Sequence, residues 1–179
     1  MIATGELAPS YRAPTNKGQT LSHDSFLERV PVVLFFLDGL DDADDQLELN
    51  AFDELLVEFG HRRVQLLGVA PTTPRALREA TETRAVTVLA DEDGAIRARF
   101  GGDSGPFAVV IDRTGTVAGV VERRSSEHPT EVLGEVDRLR AREPERMEPY
   151  EPVHNEPAAE VPSPNQTSPN TPGSKVKGA

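Results

Sequence analysis

Pro31-Val32-Val33-Leu34-Phe35-Phe36-Leu37 is a short unbroken apolar run. Alternation is absent, so both faces of such a segment must be covered, as in the buried central strand of an α/β sheet. Residues 43–59 follow, with Leu49, Phe52, Leu56 and Phe59 at helical spacing. Strand then helix is half of a crossover unit, and Val64 to Val69 supplies the second strand. The two strands are expected to be parallel, joined by a right-handed connection.

The same alternation continues downstream. Thr73 then Pro74 reads as an N-cap and first helical residue, opening a helix to about Thr83. Val86 to Leu89 reads as a short strand, and Ala95 to Phe100 as a short helix. Phe107 to Ile111 and Val117 to Val121 flank Asp112-Arg113-Thr114-Gly115, a hairpin turn. His128-Pro129 opens a last helix with Val132, Val136 and Leu139 on one face. Its Glu residues come mostly first and its Arg residues last, which complements the helix dipole. The fold class is therefore α/β, a central mixed sheet with helices on both faces.

Composition changes near residue 143. Residues 144–179 hold eight of the fifteen prolines and no Leu, Ile, Phe or Trp. Such a segment cannot bury enough apolar surface to offset its chain entropy. The expected organisation is a folded domain over 1–143 and a disordered, proline-rich acidic tail over 144–179. Pro149-x-x-Pro152 has the spacing a polyproline reader takes, but a Pro-rich tail produces such pairs by chance; the sequon Asn165-Gln166-Thr167 carries little weight without a signal peptide.

The 179 residues contain no cysteine, which excludes disulfides, thiolate metal sites and thiol catalysis by the chain itself. Nineteen basic against thirty acidic residues give a net charge of −11. That charge argues against nucleic acid and against anionic membranes. No run is long and apolar enough for a membrane-spanning helix, and residues 1–20 carry no signal-peptide pattern, so a cytoplasmic location is expected.

With the elements in order, the residues resemble the peroxiredoxins, the alkyl hydroperoxide reductase/thiol-specific antioxidant group. Gly5-Glu6-Leu7-Ala8-Pro9-Ser10-Tyr11 is similar to their opening segment, with Thr20-Leu21-Ser22 and Phe26 as the next piece. Pro31 to Phe36 resembles their first core strand, and Leu67-Gly68-Val69-Ala70 the second. Leu89-Ala90-Asp91-Glu92-Asp93-Gly94 resembles a strand-to-helix turn, and Phe107 to Asp112 with Gly115 the closing hairpin. The likeness runs over residues 5–122. It implies a thioredoxin-like fold, closest to the bacterioferritin-comigratory-protein type.

The departures fall on the chemistry. Aligned without gaps, the family's Thr-Pro-Gly-Cys stretch becomes Asp42-Ala43-Asp44-Asp45. The resemblance then places Asp45 at the peroxidatic cysteine position, Asp42 at that of its Thr partner, and Asn50 at the resolving cysteine position. Aligned to thioredoxins instead, the CxxC becomes Asp41-Asp42-Ala43-Asp44. Pro106 falls where peroxiredoxins carry an active-site arginine, and where thioredoxins carry a proline that is often cis.

Asp45 precedes Leu49 by four residues and Phe52 by seven, so it projects from the first turn on the inward stripe. A helix N-terminus favours a carboxylate as it does a thiolate. Two readings stand side by side: an ionised surrogate at the cysteine position, or simple N-terminal capping by one of several acids. Asp38, Asp41, Asp42, Asp44, Asp45 and Glu48 also form an oxygen-rich candidate set for Ca²⁺ or Mg²⁺. The EF-hand glycine is missing, and a solvated acidic cap is the plainer reading. His23, His61, His128 and His154 are scattered, without metal-ligand spacing. Gly101-Gly102-Asp103-Ser104-Gly105 follows a helix instead of opening one, so it reads as a loop and not a phosphate cradle. Arg62-Arg63 and Arg123-Arg124 read as surface ion-pair partners.

Three functions follow: a cysteine-free redoxin domain acting as a binding or regulatory module, an enzyme of non-thiol chemistry using the acids at the old site, or an antioxidant role by family resemblance alone. No cofactor is implied. The expected partner is an unidentified protein, a second copy of the chain included.

Only Lys17, Lys175 and Lys177 are lysines, beside sixteen arginines and thirty acids. This balance suits a high-salt cytoplasm, where the Debye length falls to about 3 Å at 1 M. Arginine-favouring codons give the same count without that meaning. In the first case the melting temperature rises from dilute buffer to molar KCl; a flat curve assigns the bias to coding.

Overall fold

The structure of the chain, a computed structural model, describes residues 1–101 and 105–143. The expected tail, and Gly102, Asp103 and Ser104 of the glycine-rich loop, lie outside the described residues.

Two short strands, β1 (Arg12–Pro14) and β2 (Thr20–Ser22), pair antiparallel near the start, followed by a 3-10 turn at His23–Ser25. The apolar run forms β3 (Val32–Phe36). The helix expected over 43–59 is two helices, α1 (Ala43–Glu54) and α2 (Leu56–His61). Leu55 between them opens to ψ 0°, and Phe59 beyond it is fully buried. Next come β4 (Gln65–Ala70), α3 (Pro74–Ala80) and β5 (Thr87–Ala90). Thr73 caps α3 as its sequence predicts, its hydroxyl accepting from the Ala76 amide at 3.2 Å. The helix stops short of Thr83, at Thr81, whose hydroxyl turns back to donate to the Leu77 carbonyl at 2.7 Å. The described residues end with α4 (Ala95–Arg99), β6 (Phe107–Ile111), β7 (Val117–Glu122) and α5 (His128–Arg142).

The main sheet has the order β5-β4-β3-β6-β7. As expected, β3 and β4 are parallel; β5 extends the parallel half, while β6 and β7 are antiparallel. Alternate residues of β3 feed two cores. Val33, Phe35 and Leu37 face α1, α2, α3 and α5; Val32, Leu34 and Phe36 face α4 and the β1–β2 hairpin. That two-sided burial is why the run carries no polar residue.

Gly68 is fixed by packing. It lies beside Phe35 in the parallel register, and a Cβ there would meet Phe35 Cζ at 2.8 Å. The space lets the Phe35 ring stack on Phe52 at 4.1 Å, which seats α1 on the sheet. Gly68→Ala is expected to destabilise the fold by about 1–3 kcal/mol in urea denaturation, through overpacking.

Candidate functional site

The loop after β3 and the start of α1 carry the acidic cluster. Asp42 is the N-cap: its Oδ1 accepts from the amides of Asp44 and Asp45 at 2.9 and 3.0 Å. Capping is therefore the work of Asp42, and Asp41, Asp42 and Asp44 are exposed. Asp45 does something else. Its side chain is 1% exposed. Its Oδ2 accepts from the backbone amides of Asp38 and Gly39 at 2.5 and 2.8 Å. Its Oδ1 accepts from Arg123 Nη1 at 2.5 Å. The inward projection read from the spacing to Leu49 and Phe52 is what the fold shows.

Glu48, one turn on, is buried too. Its Oε2 accepts from the same Arg123 Nη1 at 2.6 Å, and its Oε1 lies 2.8 Å from His128 Nδ1. His128 is fully buried at the start of α5, with Nε2 3.0 Å from the Val121 carbonyl. A carbonyl only accepts, so in the Val121 contact Nε2 is the donor. The cluster thus joins α1, β7 and α5.

Two sequence-based readings change here. Asp45 and Glu48 are not part of a solvated acidic cap. Arg123 is not a surface ion-pair partner: its side chain is 19% exposed and bridges two buried carboxylates. Burial opposes its charge, but hydrogen bonds to Glu48 and Asp45 hold the guanidinium pKa above its ordinary value. Its neighbour Arg124 does pair at the surface, with Glu122, and Arg62 pairs with Glu58 and Asp137.

Around this centre the remaining candidates spread out. Asp38 bonds Arg97 Nη2 at 2.6 Å, and the same guanidinium donates to the carbonyls of Leu37 and Gly105 and lies over the Phe107 ring. Arg97 was missed by the sequence reading, as were the roles of Arg123 and His128. Asn50 Oδ1 accepts from Arg84 Nη1, whose Nη2 also reaches Gln46. Pro106 offers its carbonyl to the Arg123 amide at 3.0 Å, and no peptide bond among the described residues is cis. Among the described residues, no group of three or more His, Cys, Asp or Glu is placed to hold a metal. Where Asp45 and Glu48 converge, the cationic group is an arginine.

Residues 4–120 match the AhpC/TSA family. The chain belongs to the AhpC/TSA family. Solved structures agree on its fold. Peroxidoxin BcpB from Mycobacterium tuberculosis is 23% identical, with 78% of this chain and 99% of that one covered and a TM-score of 0.72. The reduced 2-Cys peroxiredoxin of Plasmodium vivax is 21% identical, covering 81% and 86%, at 0.71. The bacterioferritin comigratory protein of Xanthomonas campestris is 16% identical, covering 72% and 91%, at 0.66. No curated protein matches the chain. This AhpC/TSA domain is thus a thioredoxin-like peroxiredoxin fold whose sequence has no cysteine.

Removing Arg123 leaves two carboxylates buried against each other. Arg123→Leu is expected to lower stability by about 3 kcal/mol. The adjacent Arg124→Leu, at an exposed pair, is expected to stay within about 0.5 kcal/mol. Parallel urea denaturation of the two variants measures the contrast.

Proposed function

We propose that this AhpC/TSA chain is a non-catalytic redoxin domain that works by binding. The observation that carries the reading is the commitment of both aligned sulfur positions. At one, Asp45 is satisfied by two amides and Arg123; at the other, Asn50 is bonded by Arg84. Thiol peroxidases need a sulfur that passes through a sulfenic acid and is reduced again, and neither side chain can do this. An antioxidant role inherited by resemblance has no thiol to use in this chain.

An enzyme built on the acids is the competing reading. Asp41, Asp42 and Asp44 are open to solvent for it, but Asp45 and Glu48 already use their oxygens on Arg123, backbone amides and His128. The proposed module is the domain over 1–143, with residues 144–179 as a tether. No helix among the described residues is long and apolar enough to cross a membrane. The proposed setting is the cytoplasm, and the partner a protein, a second copy of the chain included.

The test is purification from the native host in its own salt, as full-length chain and as a version ending at Glu145. The expected result is a stoichiometric protein partner and no peroxide consumption with a thiol reductant. A partner lost with the tail assigns the contact to residues 146–179; one kept by both assigns it to the domain. Peroxide turnover by the pure chain overturns the non-catalytic half. Empty recovery from both versions overturns the binding half, and a divalent-metal panel read by melting temperature then becomes the informative experiment.

A further inference from the structure

The donors around Asp45 come from outside its own helix. Oδ2 receives the amides of Asp38 and Gly39 at 2.5 and 2.8 Å, and Oδ1 receives Arg123 Nη1 at 2.5 Å. Two backbone N–H groups on one oxygen and a guanidinium on the other match the acceptor geometry of a carboxylate. Other contacts anchor this one. Arg97 grips the loop through the Leu37 carbonyl and the Asp38 carboxylate, and the Leu37 amide donates to the Val69 carbonyl at 3.0 Å. Glu48 holds the same Nη1 of Arg123 from the other side at 2.6 Å. The donors are therefore positioned by partners besides Asp45.

We infer that the Asp38 and Gly39 amides and Arg123 form a binding site for a small monocarboxylate, which the chain fills with its own Asp45 side chain. The tethered carboxylate has no translational freedom to lose, so in the native protein it excludes free carboxylates from the site. Taking it away leaves the two amides without an acceptor, which is costly, and leaves Arg123 Nη1 with Glu48 alone. Formate restores their acceptors within the volume that the side chain vacates. The inference does not depend on the binding role proposed above.

The probe is sodium formate against sodium chloride at equal ionic strength, with melting followed by circular dichroism. Three full-length proteins are compared: the native chain, Asp45→Gly, and Asp45→Gly with Arg123→Gln. The expected result is a saturable formate-specific rise of about 3 °C in Asp45→Gly, as mass action on a native-state site requires. The native chain and the double variant show no such rise. Equal responses of Asp45→Gly to the two salts overturn the inference, as does a rise of the same size in either comparison protein. If Asp45→Gly is unfolded in chloride, recovery of native ellipticity in formate supports the site, and failure to recover overturns it.

Discussion

One guanidinium nitrogen lies between two carboxylates that water barely reaches. Arg123 Nη1 is 2.5 Å from Asp45 and 2.6 Å from Glu48, and carboxylates buried this deeply are costly to leave without such a partner. The remaining acceptors are also used: two amides on Asp45, and His128 on Glu48. His128 in turn is tied to the Val121 carbonyl, two residues before Arg123. The start of α1, the end of β7 and the start of α5 therefore depend on one ion pair with two arms.

The sequence holds no cysteine, and this constraint decides what the buried carboxylates can do instead. A reactive thiolate needs an electropositive, partly exposed setting in which its partners leave it free to attack. Here the electropositive group is present, but the anion it faces cannot be oxidised and is spent on hydrogen bonds. Asp42 separately caps the helix, its Oδ1 accepting from the Asp44 and Asp45 amides. The AhpC/TSA framework persists because its strands are packed on both faces, and that packing does not depend on what stands at position 45.

Much of this was legible in the sequence. The β3 run, the Thr73-Pro74 helix start and the hairpin turn at Asp112–Gly115 announce themselves through local patterns of burial and turn chemistry. So does the inward aim of Asp45. The β1–β2 hairpin was not read as strands, because three residues per strand are too few to show a period. Arg123 was misread for a different reason. Period-two alternation puts it on the same face as Val121, which packs toward α1 and α5. A register shift between Val110 and Ile111 opposite β7 breaks that alternation upstream, so parity counted from Val117 gives the wrong face. His128 and Arg123 lie 80 and 75 residues from Glu48, and no local signal joins them.

That separation has a kinetic side. Asp45 and Glu48 sit in the first long helix, while Arg123 and His128 arrive with β7 and α5, at the far end of the described residues. Their contacts close loops of most of the domain, so the entropy of those loops must be lost before the cluster can form. The pairing of β3 with β6 closes loops of the same size, and there the burial of apolar strands offsets the cost. The ionic cluster brings little such burial, so it is expected on the late side of the folding barrier, where it slows escape from the native state more than it speeds arrival.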